Sequence, residues 1–234
     1  CIKSGFLWTL GGQGEPVTFY LDEIRFVFDP DAPQAVAAAH EEAAEIKTQP
    51  FQAPAAVLPV SVYPENSPQP FYFPSGYMGQ PAAIAMDPQC TQNPYSEPAC
   101  LKVSFSAQGE WGGVVWQAPA NDWGDKPGGY DLSEANALTF WARGEDGGEV
   151  VSFGVGLIGA DKPYADSSRA KIEDIRLSRD WQKFKIPLSG KDLRCIKSGF
   201  VWTLSGQKKP VVFYLDDIQY AFDPAFAPAA AQEK

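Results

Sequence analysis

Four aromatic rings stand where an aromatic ring is free to act. Trp111, Trp123, Tyr130 and Tyr164 lie in polar or glycine-rich stretches of the chain. A flat indole or phenol in such a place offers its face to the C–H face of a sugar ring, while nearby amides, carboxylates or a guanidinium bind the hydroxyls. Asn121, Asp122, Gln117 and Arg143 are placed near enough in sequence to supply those hydrogen bonds. The bland reading is that loop tryptophans fold over an open end of the core. Trp116, Trp141, Trp181 and Trp202 sit inside apolar runs and are expected in the core itself.

Catalytic constellations are poorly represented. The single histidine, His40, lies in a Pro/Ala-rich stretch, so no Ser-His-Asp or Cys-His arrangement can be built in the rest of the chain. No CxxC or HExxH spacing occurs. A pair of carboxylates suffices for glycoside hydrolysis, and Asp122, Asp125, Glu145 and Asp166 are available on paper. Acidic residues this frequent read more simply as a solvated surface, and the chain is expected not to be an enzyme.

Of the four cysteines, Cys90 and Cys100 bracket the polar loop CTQNPYSEPAC. Their pairing is expected, closing a short loop and stabilising it by about 2–3 kcal/mol. A disulfide implies an oxidising, extracellular or cell-surface location. Cys1 and Cys195 are the same position in two copies of one segment, and each reads as a strand thiol or an intermolecular link.

The elements that must position these groups are strands. The chain has 234 residues, with 21 Gly, 21 Pro and 13% aromatic residues, a balance suited to many short strands joined by turns. Apolar or alternating runs occur at 60–63, 100–106, 113–117, 137–142, 150–157, 181–186, 198–204 and 211–218, punctuated by EDGGE, GDKPGGYD and LSGKDL. Only DLSEANA, after Asp131, suggests a helical turn, capped by Asp131 or Ser133. The predicted fold is an all-β antiparallel jelly-roll sandwich. The formal charge of −10 argues against a nucleic-acid partner, and no run approaches the ~20 apolar residues of a membrane-spanning helix.

Residues 1–30 repeat residues 195–224 without a gap, with 21 of 30 positions identical. Self-similarity at a fixed offset marks a repeat array. The chain therefore divides into residues 1–29, the closing strands of a preceding repeat or a donated hairpin; a linker at 30–59 with a possible short helix at 34–47; a complete sandwich at 60–224; and the start of another linker or tail at 225–234. A lone hairpin is marginal in water, so Phe6, Trp8, Phe19, Leu21 and Ile24 require burial against other strands. Strand addition to a neighbouring molecule would supply it and would build head-to-tail arrays.

The strings WGGVVWQ (111–117), NDWG (121–124), YDLSEANALTFWARG (130–144), GGEVVSF (147–153), DLRCIKSGFVW (192–202) and FYLDDI (213–218) resemble the galactose-binding-like jelly-roll sandwiches, which include many carbohydrate-binding modules. The resemblance spans nearly all of 60–224. It implies the fold, and it implies a structural calcium ion between the first and last strands, with Glu65 and Asp216 or Asp217 as the matching ligands. Asp216 and Asp217 point to opposite faces of a regular strand, so a shared ion needs a bulge there. Gln80 stands where such relatives carry an acidic residue.

The repeat decides the sequence-based reading of function: a non-catalytic extracellular building block of a fibre or surface assembly, structural or adhesive, partnered by copies of itself. The alternative is a carbohydrate-binding module whose partner is a polysaccharide.

Overall fold

The computed structural model describes residues 51–63 and 70–226 of the chain. The expected hairpin with Phe6, Trp8, Phe19, Leu21 and Ile24, the helix at 34–47, Cys1, His40 and Glu65 all lie outside the described residues. Eleven strands follow in order: β1 Val60–Tyr63, β2 Phe73–Gly79, β3 Ile84–Cys90, β4 Cys100–Phe105, β5 Trp111–Gln117, β6 Ala137–Gly144, β7 Val150–Val155, β8 Ala170–Arg176, β9 Gln182–Pro187, β10 Ser198–Ser205 and β11 Val211–Ala221. Every pairing is antiparallel, in two sheets. The first sheet has the order β3-β4-β11-β6-β9, with β1 also on β11; the second has the order β2-β5-β10-β7-β8.

The long strand β11 organises the first sheet. Its first half pairs with β4, its second half with β1, and β6 lies along its other side. The register against β6 breaks between Asp216 and Gln219, and Asp217 there has a φ of 50°. This is a β-bulge, which lets Leu215 and Ile218 both enter the core although three residues apart.

The core fills the space between the sheets. Phe140 of the first sheet meets Phe153 and Phe200 of the second at centroid distances of 4.7 and 5.4 Å, and Phe184 stacks on Phe140 at 5.6 Å. Trp202 packs edge-on against Phe213, and Trp116 against Phe200, each at 5.4 Å. Such offset and edge-to-face pairs add about 0.5–1.5 kcal/mol each beyond their area burial. Trp116 and Trp202 are thus core residues, as their apolar neighbours predict. Trp141 and Trp181 are not: both are half-buried on the outer face of the first sheet, beneath the 91–99 loop.

Two further expectations change. The stretch after Asp131 makes a turn, not a helix; the Asp131 carboxylate accepts from the Ser133 amide and hydroxyl, and only the Ala135 amide returns to the Leu132 carbonyl. Within the expected linker, residues 51–56 dock on the sandwich. Ala53 and Ala56 are buried, and the amide of Ala56 donates to the Asp131 carbonyl at 2.9 Å.

Candidate functional site

The outer face of the second sheet holds the candidate site. Strand alternation sends Val114 and Trp116 of β5 into the core and Trp111, Gly113, Val115 and Gln117 outward. On β10 the outward set is Val201, Thr203 and Ser205, and on β7 it includes Ser152 and Gly154. The middle of this face is made of small residues packed tightly together. A Cβ on Gly113 would stand 2.6 Å from the Trp202 carbonyl oxygen, closer than real contacts allow. The Thr203 methyl and the end of the Met78 side chain close over that position, 2.8 and 3.2 Å from where the Cβ would stand.

Trp111 marks one end of this face. It is 49% exposed, opposite Ser205, and it borders a groove of about 400 Å³ with Ser152, Asp174, Thr203 and Gln207. From Trp111 to Gln117 the strand runs about 20 Å at ~3.4 Å per residue. The 119–124 loop folds onto the other end. Gln117 is fully buried beneath it: its Nε2 donates to the Asp122 carbonyl at 2.8 Å, its Oε1 accepts from the Ser75 hydroxyl at 2.8 Å, and the Ser75 Oγ accepts the Asn121 amide at 2.9 Å. Asn121 adopts a φ of 56°, and Trp123, two residues on, is 37% exposed. An extended face with an open indole at one end, a loop carrying a second exposed indole at the other, and hydroxyl groups between suits a linear polyhydroxylated chain.

The seven residues singled out for sugar contact do not meet at one place. Trp111 belongs to this face, the Asn121 amide is tied to its edge through Ser75, and Trp123 is exposed on the same loop. Asp122 lies under the loop that carries them, buried against Lys197. Burial pushes its carboxyl up, but the Lys197 hydrogen bond, the Gly124 and Asp125 amides and the Lys197 charge hold it below its ordinary 3.8. Tyr130 packs between Phe71 and Tyr72, at 4.9 and 5.4 Å. Tyr164 meets Phe51 edge-on at 6.4 Å. Arg143 is on the other sheet, buried, with its guanidinium 3.6 Å from the Tyr214 ring centroid and donating to the Gln92 carbonyl at 2.9 Å.

That outer face of the first sheet is closed by the 91–99 loop. Tyr95 stacks on Trp141, the Trp181 indole donates to the Asn93 carbonyl, and the buried Asp216 carboxylate accepts the Tyr95, Ser96 and Asp217 amides. Asp216 thus holds a loop, and Asp217 sits in the bulge beside it. Among the described residues no group of three or more His, Cys, Asp or Glu side chains could hold a metal ion, and Glu65, the third expected calcium ligand, is not among them. The expected Cys90–Cys100 disulfide is not formed: both are buried free thiols, and the Cys100 thiol donates to the Cys90 carbonyl at 3.5 Å. The two are direct cross-strand partners. Such pairs hold their Cβ atoms about 4.5–5.5 Å apart, beyond the ~3.8 Å a disulfide favours.

Sequence reasoning missed Ser152, Asp174, Gln207 and Lys197. Asp174 lies on β8, whose alternating charged residues hide a strand. Lys197 carries no local sign of burial; only its ion partner, 75 residues away, explains it. A larger cavity of about 790 Å³ opens beside β2 and β3, lined by Tyr63, Tyr77, Met86, Glu97 and Trp116. Of its aromatic residues, Trp116 is core, the Tyr63 hydroxyl donates to the Pro88 carbonyl at 2.8 Å, and Tyr77 is 41% exposed.

The sandwich has similar counterparts among known proteins. A family model described as carbohydrate binding domain 30 matches residues 66–222. Among solved structures, a family 30 carbohydrate-binding module is similar at 18% identity with a TM-score of 0.50, covering 71% of this chain and 100% of that one. The family 30 module of the cellulosomal cellulase Cel9D-Cel44B of Clostridium thermocellum is similar at 20% identity with a TM-score of 0.46, covering 72% and 99%. A family 11 module from Clostridium thermocellum, in complex with a β-1,3-1,4-mixed-linked tetrasaccharide, is similar at 13% identity with a TM-score of 0.46, covering 71% and 98%. No curated protein matches the chain. The family match overturns the expected role as a structural or adhesive building block. The repeat had outweighed the ring-and-amide constellation in that reading, yet the match falls on the sandwich that carries the constellation.

Proposed function

The chain belongs to the carbohydrate-binding domain 30 family, and from that premise we propose that its sandwich is a non-catalytic module that holds a polysaccharide chain along the outer face of the second sheet. Trp111 and Trp123 are the stacking platforms at the two ends. Asn121, Thr203, Ser152 and Gln207 are the groups within reach of sugar hydroxyls between and beside them.

The observation that carries this reading is the exposure of Trp111, 49% open on a strand beside a groove lined by Ser152, Asp174, Thr203 and Gln207. An indole so exposed gains little for the fold and much for a ligand that covers it. The non-catalytic part rests on where the carboxylates are. Asp122 is buried in an ion pair, Asp125 pairs with Lys162 at 3.0 Å, Asp166 accepts the Ile158, Lys197 and Ser198 amides, and Glu145 accepts the Tyr214 hydroxyl on the opposite sheet. None of the four lines the groove, where Asp174 is the single carboxylate, and a glycosidase needs a pair across its substrate.

The test is binding to a panel of soluble polysaccharides by affinity electrophoresis, followed by calorimetry with an oligosaccharide of the best one. Retardation by at least one polysaccharide, lost in Trp111→Ala, supports the reading. Binding to none, or binding that survives Trp111→Ala unchanged, sinks it.

A further inference from the structure

Trp123 and Asn121 stand on a loop with no regular structure, and what fixes that loop is an ion pair. Lys197, at the entry to β10, is fully buried, and its Nζ donates to Asp122 Oδ2 and to the Lys126 carbonyl. The other end of the arrangement is as complete. Asp122 Oδ1 accepts the Asp125 and Lys126 amides at 3.2 and 3.0 Å, and Oδ2 accepts the Gly124 amide at 3.2 Å. The loop after β7 is tied to the same point. Asp166 Oδ1 takes the Lys197 and Ser198 amides at 2.6 and 2.9 Å, and Tyr164 donates its amide to the Gly124 carbonyl at 3.0 Å. The Lys197 ammonium lies 5.7 Å from the Tyr164 ring centroid.

Lys197 is fully buried and Asp122 is 4% exposed, so both charges are taken out of water. Apolar residues of like size at a buried ion pair commonly leave stability unchanged or raise it, because two desolvated charges must first overcome their own burial cost. A charged pair that captures three consecutive loop amides does what an apolar contact cannot: it sets the loop's direction. Asp122 immediately precedes Trp123, so the direction it sets is that of the indole.

We infer that Lys197 and Asp122 are positioning residues for glycan binding, latching the 118–129 loop so that Trp123 and Asn121 face the groove. This rests on the groove being the binding face. Neither latch residue touches the ligand; they act through the loop.

Lys197→Met alone strands a buried carboxylate and is expected to unfold readily. The informative variant is therefore the double Lys197→Met/Asp122→Leu, which removes both charges, with Lys197→Arg as the conservative control. Thermal melting, calorimetry with a β-1,3-1,4-mixed-linked glucan tetrasaccharide, and amide hydrogen exchange read the outcome. The double variant should melt close to the parent, bind about tenfold more weakly, which is ~1.4 kcal/mol, and exchange faster at the Gly124, Asp125 and Lys126 amides while the Tyr130 and Ile196 amides stay protected. Lys197→Arg should recover part of the affinity. Unchanged exchange at those three amides overturns the latch, and so does faster exchange with unchanged affinity. Trp111→Ala separates the two ideas: if it leaves tetrasaccharide binding intact, or if the parent binds neither the tetrasaccharide nor any polysaccharide of the panel, the groove reading fails, the assignment to glycan binding falls with it, and exchange alone tests whether the pair fixes the loop.

Discussion

Tyr95 lies flat on Trp141, with ring centroids 3.7 Å apart and planes 18° from parallel. The pair belongs to the first sheet and seals its outer face with the 91–99 loop. Tyr95→Ala should therefore cost about 1–2 kcal/mol of stability in urea unfolding, from the lost stacking and the uncovered indole. Polysaccharide affinity should not change, because binding is assigned to the other sheet. A loss of affinity without a loss of stability would move the site to this face.

Two aspartates give the stability opposite pH responses. Burial raises the Asp216 carboxyl above 3.8 despite the Ser96, Asp217 and Tyr95 amides that favour its charged form. A raised carboxyl contributes stability that is whole below 3.8 and is lost as the pH rises through its folded value. Asp122 is held below 3.8, so its contribution is present above 3.8 and is lost as the pH falls through the lower folded value. Melting midpoints followed against pH should show the parent's advantage over Asp122→Asn shrinking in acid. Against Asp216→Asn that advantage should be greatest in acid and should fall towards neutral pH. Parallel curves for either pair would contradict the assignment.

Cys90 and Cys100 should not react with a thiol reagent in the native protein. Both are buried, and burial first, then the neighbouring Cys90 and Asp216, pushes the Cys100 thiol up to about 12, leaving almost no thiolate near neutral pH. Titration with a chromogenic disulfide should label them only after denaturant is added, and reductant should leave the melting midpoint where it is. A midpoint that falls with reductant would show a disulfide.

The fold was readable where burial is two-sided. Phe140, Phe153, Trp202 and Phe213 sit in dense apolar runs, and each became a core strand. The strands β2, β3 and β8 went unread for the converse reason. Each lies at a sheet edge, FPSGYMG and IAMDPQC carry proline or glycine within the strand, and AKIEDIR is mostly charged. Edge strands tolerate such residues because one side has no ladder to maintain. Trp111 and Trp123 are exposed, as their glycine-rich settings predict. Asp122 and Arg143 looked like ligands because their type and neighbourhood are right. What removes them from the surface, Lys197 for one and the 91–99 loop for the other, is distant in sequence and close only after folding.

The binding face itself is tested most directly by comparing the parent, Trp111→Ala and Trp123→Ala in calorimetric titration with the polysaccharide that binds best. Both indoles are substantially exposed, at 49% and 37%, so their loss should barely move the melting midpoint. Each substitution should weaken binding by about 1–3 kcal/mol, the range for losing an aromatic anchor at a contact surface. Two variants that fold as the parent does and bind as tightly would contradict the assignment of the groove.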